Sequence, residues 1–212
     1  MSLLTPDPAK SLLLTIDVQC DFTNPGAPAE IAGTAAAVPN MVRLVEAYRK
    51  AGRPIAHMVR LYKSDGSNVD LCRRELAASG WNVATPGAAG SQLVPEIVPP
   101  NTTLDHPTLL NGHPQRIGEN EWVFYKPRWG AFYQTSLEAM IQLWGVNTIV
   151  VCGCNFPNCP RTSIYEASER DLRIVVVADA LSGLYDQGRK ELGSIGITVA
   201  DTNFCMQWAA NA

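Results

Sequence analysis

The chain has 212 residues, of which 46% are hydrophobic and 17% are charged, a balance typical of a soluble globular protein. Its net charge of −3, with no cluster of lysine or arginine, argues against a nucleic-acid partner. No apolar run approaches the ~20 residues that span a bilayer, and a signal-peptide pattern is absent, so no membrane partner is expected. The six cysteines are too few for a disulfide scaffold and form no zinc-type pair, which predicts a reduced, cytoplasmic protein.

Short β-branched runs alternate with amphipathic stretches along the chain, and this alternation predicts βαβ units and a parallel sheet. One Pro- and Gly-rich region, residues 80–120, predicts a long surface excursion. No repeat or linker is visible, so we expect a single domain over residues 1–212. The predicted strands are 11–18, 54–62, 121–126, 148–153, 173–179 and 198–200, and the predicted helices are 38–51, 68–79, 135–145, 160–170 and 187–195. The helix at 135 is predicted to open with a capping box of Thr135 and Glu138.

Three predicted strands end in residues that can carry chemistry, namely Asp17, Lys126 and the turn that contains Cys159. The carboxyl ends of parallel strands share one edge of a sheet, so these side chains are expected to converge. Pro160 at the first helical position places Cys159 at the helix N-cap, where the helix dipole and a nearby ammonium favour a thiolate. Asp17 can then accept the thiol proton, and the N-terminal amides can hold an oxyanion.

Each of these residues also has a structural interpretation. A cysteine behind a strand is usually packing, an aspartate at a strand end often caps a turn, and lysine is usually solvated. Cys152 and Cys154 are expected in the core, because their spacing to the third cysteine matches no common metal site. A papain-like pairing needs a histidine, and His57, His106 and His113 have no special claim to that role. No glycine-rich phosphate loop follows the first strand, which disfavours dinucleotide binding and a flavodoxin-like carrier.

Three segments in chain order, TIDVQCDF, KPRWGAFYQTSL and VVCGCNFPNCPRTSIYEASERDLRIVVVADA, share further features. The first resembles a D-x-Q-x-D-F motif and the second a K-x-x-x-[SG]-A-F-x-x-T-x-L motif. The third resembles a strand, nucleophile turn, helix and strand that close in D-A. Together they are similar to the isochorismatase-like cysteine hydrolase superfamily, over most of the chain.

The resemblance implies that Asp17 is the base, Lys126 a charged assistant and Cys159 the nucleophile. It implies a cis peptide between Cys154 and Asn155, with the backbone N–H groups of Asn155 and Cys159 as the oxyanion hole. The implied fold is a single-domain, three-layer α/β/α sandwich with a six-stranded parallel sheet of Rossmann-like topology. A homo-oligomer, dimer or tetramer, and no cofactor are expected with it.

The sequence departs from the family pattern in ways that bear on its chemistry. Relatives often carry Ala–Thr where this chain has Asn155–Phe156, which predicts an altered pocket wall. The D-x-H metal motif of the nicotinamidase branch does not follow the second strand, so no catalytic metal is expected. The branch that cleaves the vinyl ether of isochorismate can dispense with cysteine, so Cys159 points to amide chemistry.

Aromatic and arginine side chains beside the motifs are candidates for substrate binding, as walls for a small planar substrate or as partners of a carboxylate or carbonyl. Core packing and surface structure are the competing interpretations. The candidates are Phe22, Trp129, Phe132, Arg60, Arg128 and Arg161.

The leading functional prediction is a metal-independent, cysteine-dependent hydrolase of a small amide, carbamoyl or ureido compound, acting through an acyl-enzyme on Cys159. An isochorismatase-type vinyl-ether hydrolase, for which Asp17 would suffice, is one alternative. A non-catalytic homologue that binds a small molecule is the other.

Overall fold

A single twisted sheet organises the computed structural model, which describes residues 3–210. Within these residues the sheet has seven strands in the order β3-β4-β2-β1-β5-β6-β7. Six of the strands are parallel, as predicted, and β3 pairs antiparallel with β4 at the edge. The strands are β1 (Ser11–Ile16), β2 (Ile55–Val59), β3 (Gln115–Gly118), β4 (Glu121–Tyr125), β5 (Thr148–Gly153), β6 (Arg173–Leu181) and β7 (Thr198–Ala200).

Helices cover both faces of the sheet and give the three-layer α/β/α architecture. Helices α2 and α8 contribute to one apolar cluster, and α5, α6 and α7 contribute to another. The helices are α1 (Cys20–Thr23), α2 (Thr34–Lys50), α3 (Arg74–Ala78), α4 (His106–Leu110), α5 (Leu137–Leu143), α6 (Cys159–Ser168), α7 (Asp186–Ser194) and α8 (Thr202–Ala210). None of the helices in residues 3–210 has the length and apolar character needed to cross a membrane.

Strand β1 is central and contributes apolar side chains to both faces of the sheet. All six of its residues are buried. Leu13 packs in the cluster under α2 and α8, whereas Leu12 and Leu14 pack in the cluster under α5 to α7. Successive side chains of a strand point to opposite faces, so these consecutive leucines pack in two cores at once.

The largest differences from the predicted elements are at α2, at α8 and in residues 68–79; in α2 and α8, buried small residues leave no periodic apolar signal. Helix α2 starts at Thr34 rather than residue 38, since the alanines at 35–37 favour a helix without forming an apolar stripe, and Pro39 lies inside it. Helix α8 was not predicted, and its buried residues include a threonine, a cysteine and an alanine. Residues 68–79 form a 3₁₀ turn, Leu71–Arg73, that continues into α3.

The predicted capping box at Thr135 and Glu138 is wrong. Ser136 is the N-cap of α5, and the Thr135 hydroxyl donates to the carbonyl of Ala131 at 2.6 Å. Glu138 accepts a bond from Arg170 at 2.8 Å instead of turning back to its own helix. The Thr135 hydroxyl also accepts from Leu137 N at 3.3 Å, so Thr135 ties the turn to α5 without a reciprocal bond from Glu138.

Candidate active site

The predicted triad of side chains meets at the carboxyl edge of the sheet. Asp17 directly follows β1, Lys126 directly follows β4, and Cys159 opens α6 after β5. Lys126 Nζ lies 2.9 Å from Asp17 Oδ2, and the lysine side chain has no exposed surface. The backbone N–H of Lys126 donates to the carbonyl of Val59 at 3.0 Å, so the end of β2 holds the lysine in place.

Asp17 sits in an unusual backbone conformation that directs its carboxylate into the site. Its φ of 54° is left-handed, which is uncommon outside glycine, and its N–H donates to the carbonyl of Met58 at 2.9 Å. Carboxylate oxygen Oδ2 binds Lys126, while Oδ1 is buried and has no hydrogen-bond partner in residues 3–210. Such an oxygen is able to accept a proton from a neighbouring group.

Cys159 is 5% exposed and lies one position later than predicted, as the first residue of α6, with Asn158 as the N-cap. Burial, followed by the negative charge of Asp17, raises the pKa of its thiol to about 12, and Lys126 offsets only part of this rise. The expectation of a thiolate in the free enzyme is therefore wrong, because desolvation outweighs the cationic neighbours. The thiol has to lose its proton during the reaction.

Lys126 keeps its charge despite complete burial. Burial lowers the pKa of the ammonium, but the neighbouring Asp17 and Cys159 outweigh that effect and leave the pKa above its usual value. The pair of Lys126 and Asp17 is therefore an ion pair inside the protein, and each member stabilises the charge of the other.

The raised thiol pKa predicts how Cys159 reacts with iodoacetamide. Because Cys72 is exposed, the measurement uses a Cys72→Ser background and locates the label by peptide mass spectrometry. The alkylation rate of Cys159 should rise about tenfold per pH unit from about pH 7 to 10, since the thiolate fraction grows by that factor below the pKa. A plateau beginning near neutral pH would contradict a pKa of about 12.

The turn before the nucleophile is bonded tightly to the end of β1. Gly153 has a φ of 121°, and a Cβ at this position would lie 2.2 Å from the carbonyl oxygen of Ile16. Cys154 donates from its N–H to the same carbonyl at 2.9 Å and from its thiol to the carbonyl of Asp17 at 3.0 Å. The peptide bond between Cys154 and Asn155 is cis, as the resemblance implied. The two bonds of Cys154 hold this turn against the end of β1, next to Asp17.

Two backbone N–H groups beside the thiol are free to bind a ligand. Neither Asn155 N nor Cys159 N donates to an acceptor in the described part of the chain. Cys159 N is also one of the unpaired amides at the start of α6, where the helix dipole favours negative charge. Their use as an oxyanion hole stays a prediction that this geometry supports.

The loop after Lys126 packs onto the nucleophile helix through two residues that the sequence did not identify. The hydroxyl of Ser163 accepts from Ala131 N at 3.0 Å and donates to the carbonyl of Cys159 at 2.7 Å. Glu166 accepts from Phe132 N at 2.9 Å, and a Cβ on Gly130 would lie 2.2 Å from that carboxylate. The glycine in the motif is therefore needed for close approach of the loop to α6.

A small cavity of about 30 Å³ lies beside the thiol. Ligand pockets commonly measure ~300–1,000 Å³, so this cavity is small for a substrate. The residues that line the cavity are Asp17, Phe22, Ile31, Arg60, Arg73, Cys154, Asn155, Asn158 and Cys159.

The structure brings one of the three predicted aromatic residues to the cavity. Phe22 lines it, whereas Trp129 lies in a neighbouring outer groove. Phe132 is 5% exposed and packs in the core under the helices, with the guanidinium of Arg170 4.6 Å from its ring centre. Phe132 is therefore a core residue in this structure, because its loop folds back onto α6.

The change from Ala–Thr to Asn155–Phe156 affects the cavity wall at one of its two positions. Asn155 lines the cavity, but the Phe156 ring is buried in the core, 5.4 Å from the ring centre of Tyr185. A Cβ on Gly188 would lie 2.5 Å from this ring, so the glycine leaves room for the phenylalanine. The predicted alteration of the pocket is thus confined to Asn155.

The three predicted arginines differ in position. Arg60 lines the cavity, but it is 1% exposed and its Nη2 binds Asp70 at 2.7 Å. Arg161 lies outside the cavity lining and pairs with Glu191 at 2.6 Å. Arg128 is 42% exposed and bonds to nearby backbone carbonyls. The sequence could not separate them, because partners distant in sequence decide where each guanidinium points.

None of the described residues that line the cavity is a histidine. His57 is buried in β2, where it bonds to Thr15 at 2.7 Å and to Glu121 at 2.8 Å. His106 bonds to Ser91 at 2.9 Å. Across residues 3–210, no three or more His, Cys, Asp or Glu side chains are grouped so that they could hold a metal ion.

Two further residues of the TIDVQCDF motif position the site without lining it. The side-chain amide of Gln19 donates to the carbonyls of Arg60 at 2.8 Å and Ser91 at 2.7 Å. The carboxylate of Asp21 accepts from Ala84 N at 2.7 Å. Gln19 and Asp21 therefore connect the end of β1 to the Pro- and Gly-rich excursion. Both belong to the quoted motif, but the motif did not indicate this role.

Comparison with known proteins gives consistent matches over most of the chain. The family model described as the isochorismatase domain matches residues 11–194. A probable inactive nicotinamidase of Arabidopsis thaliana is 30% identical over 170 residues, which cover 79% of this chain and 78% of the relative. The maleamate amidohydrolase of Pseudomonas putida is 28% identical over 173 residues, covering 81% and 72%. The crystal structure of an isochorismatase family protein from Desulfovibrio vulgaris superposes with a TM-score of 0.79 at 29% identity, covering 92% of this chain and 95% of that one.

Proposed function

Because the chain belongs to the isochorismatase family of hydrolases, we propose that it hydrolyses a small amide, carbamoyl or ureido compound through a covalent intermediate on Cys159. The observation that carries this proposal is the buried, unpartnered Oδ1 of Asp17 at the cavity that Cys159 lines. A thiol with a proton acceptor and free backbone N–H groups has the parts required for acyl transfer.

In the first half-reaction, Cys159 Sγ attacks the substrate carbonyl carbon while the thiol proton moves to Asp17 Oδ1. A C–S bond forms, and the carbonyl π electrons move to oxygen, where the N–H groups of Asn155 and Cys159 bind the oxyanion. The tetrahedral intermediate then collapses, the C–N bond breaks, and Asp17 returns the proton to the leaving nitrogen. Ammonia or an amine leaves, and the acyl group stays on Cys159 as a thioester.

In the second half-reaction, water attacks the thioester carbonyl and gives up a proton to Asp17. The C–S bond breaks, the acid product leaves, and the proton returns to Cys159 Sγ. Lys126 holds the Asp17 carboxylate in position through the 2.9 Å ion pair and offsets negative charge as it develops on sulfur and oxygen. Three protein groups thus complete the cycle, and no step uses a metal.

The names of the relatives are consistent with amide chemistry. Maleamate amidohydrolase acts on maleamate, and it matches this chain over most of its length. A non-catalytic homologue remains the second candidate, because the relative with 30% identity is named a probable inactive nicotinamidase. The homo-oligomer and the cytoplasmic location expected from the sequence stay predictions.

The proposal is tested with a panel of primary amides, N-carbamoyl acids and ureido compounds, with ammonia release as the measurement. We expect ammonia from at least one class, unchanged after dialysis against a strong chelator, together with a mass increase on Cys159 in acid-quenched samples. Ligand-induced thermal stabilisation without ammonia from any compound would instead favour the binding homologue. Activity that is lost to the chelator and restored by a divalent cation would overturn the metal-free mechanism.

A further inference from the structure

Positive side chains outnumber negative ones around the cavity. Two carboxylates, Asp17 and Asp70, face the cations Lys126, Arg60 and Arg73. The Lys126–Asp17 and Arg60–Asp70 pairs are close, at 2.9 Å and 2.7 Å, so each carboxylate already has one near cation. Arg73 forms only a longer ion pair, 3.7 Å from Nη1 to an Asp70 oxygen that Arg60 holds more closely.

The guanidinium of Arg73 has a free edge. Its Nη1 donates to the hydroxyl of Tyr62, whereas Nε and Nη2 have no acceptor in residues 3–210. Nε and Nη2 form the side of a guanidinium that binds a carboxylate through two parallel hydrogen bonds. By contrast, Arg60 bonds through Nη1 to the Lys126 carbonyl and through Nη2 to Asp70.

Aromatic rings hold the Arg73 guanidinium without using its donors. Its central carbon lies 5.8 Å from the ring centre of Trp129 and 6.0 Å from that of Tyr62. The side chain is 25% exposed and lines the cavity together with Cys159. A cation that is held by ring faces, keeps two free donors and faces the nucleophile is suited to bind an anion that arrives with the substrate.

We propose that Arg73 binds a carboxylate of the substrate, so that the preferred substrates are amides or carbamoyl compounds that carry a negative charge. The inference rests on the proposed function, because the carboxylate has to accompany a carbonyl that Cys159 attacks. Arg73 lies on the 3₁₀ turn Leu71–Arg73, so specificity is set from the segment between β2 and α3 rather than from the strand ends. No sequence pattern indicated this residue, since Arg73 lies outside the three motifs.

The test compares two alkylating reagents that differ in charge and have nearly the same size, iodoacetate and iodoacetamide. In both reactions Cys159 Sγ forms a bond to the CH2 carbon of the reagent and the C–I bond breaks. Only iodoacetate carries a carboxylate. Rates are measured by peptide mass spectrometry in the Cys72→Ser background and divided by the rates with free glutathione. In the parent protein, the normalised alkylation rate of Cys159 should be higher with iodoacetate than with iodoacetamide.

Arg73→Gln should lower the normalised iodoacetate rate by about tenfold or more and leave the iodoacetamide rate unchanged, because the charge-assisted bonds are lost. Arg73→Lys keeps the positive charge but lacks the two parallel N–H donors of a guanidinium, so it should give an intermediate iodoacetate rate. The matched control is Arg74→Gln, since Arg74 is an exposed neighbour outside the cavity lining. An unchanged ratio in Arg73→Gln, an equal loss with both reagents, or an equal loss in Arg74→Gln would each overturn the inference.

A second measurement separates this inference from the proposed function. With succinamate and its neutral counterpart succinamide, Arg73→Gln should lower kcat/KM for the anionic amide, mainly through a higher KM, and spare the neutral one. If ammonia is released but neither measurement depends on Arg73, the hydrolase proposal stands and the proposal that Arg73 binds a substrate carboxylate is rejected. If no amide is hydrolysed, the iodoacetate comparison still decides whether Arg73 binds a carboxylate next to Cys159.

Discussion

Cys159→Ala should lower the turnover of an amide substrate by at least about 10⁴-fold, because the thioester cannot form without the sulfur. The backbone N–H groups of Asn155 and Cys159 are unchanged by this substitution, so the affinity for the substrate should change little. Ammonia release measures turnover, and isothermal titration of the inactive variant with the best amide of the panel measures binding.

Cys152→Ala is the matched control for this experiment. Cys152 is a fully buried cysteine in β5 that packs in the core and does not line the cavity. Its replacement should cost some stability and leave kcat nearly unchanged. If Cys159→Ala itself keeps near wild-type turnover of the amide, the covalent mechanism on Cys159 is falsified.

Asp17→Asn should lower turnover by about 10³-fold or more and also destabilise the protein by about 3–5 kcal/mol. An asparagine oxygen does not take the thiol proton, and burial, the largest cause of the raised thiol pKa, persists when the charge of Asp17 is removed. Lys126, which has no exposed surface, loses the carboxylate that stabilises its charge. Ammonia release and denaturant unfolding monitored by fluorescence measure the two effects.

A second substitution separates the chemical effect of Asp17→Asn from its effect on stability. Lys126→Met in the Asp17→Asn background removes the unpaired buried charge, so the free energy of unfolding should recover while turnover stays low. Adding Cys159→Ala to Asp17→Asn should cause little further loss, since the two residues act in the same step. Full turnover in Asp17→Asn, or additive losses in the double variant, would argue against Asp17 as the proton acceptor.

The parts of the fold that could be predicted are those with a strong local signal. The apolar run of β1 indicated a central strand, and its two packed faces confirm this. Helix α8 gave no such signal, because its buried residues include a polar and two small side chains spaced along a short segment. Strand β3 is four residues long within a Pro- and Gly-rich region, and only its pairing with β4 defines it.

The sequence by itself determined which residues end the strands at the carboxyl edge, and hence that Asp17, Lys126 and Cys159 come together. That conclusion needs only the order of βα units, because parallel strands present their ends at one edge. The protonation state of Cys159 was decided by the tertiary structure alone, since desolvation and the charge of Asp17 act through space. The same holds for the arginines: Arg161 and Arg60 are occupied by Glu191 and Asp70, while Arg73 keeps two free donors beside the thiol. Local patterns specify where a chain turns, but only packing specifies which hydrogen-bond donors remain free next to a nucleophile.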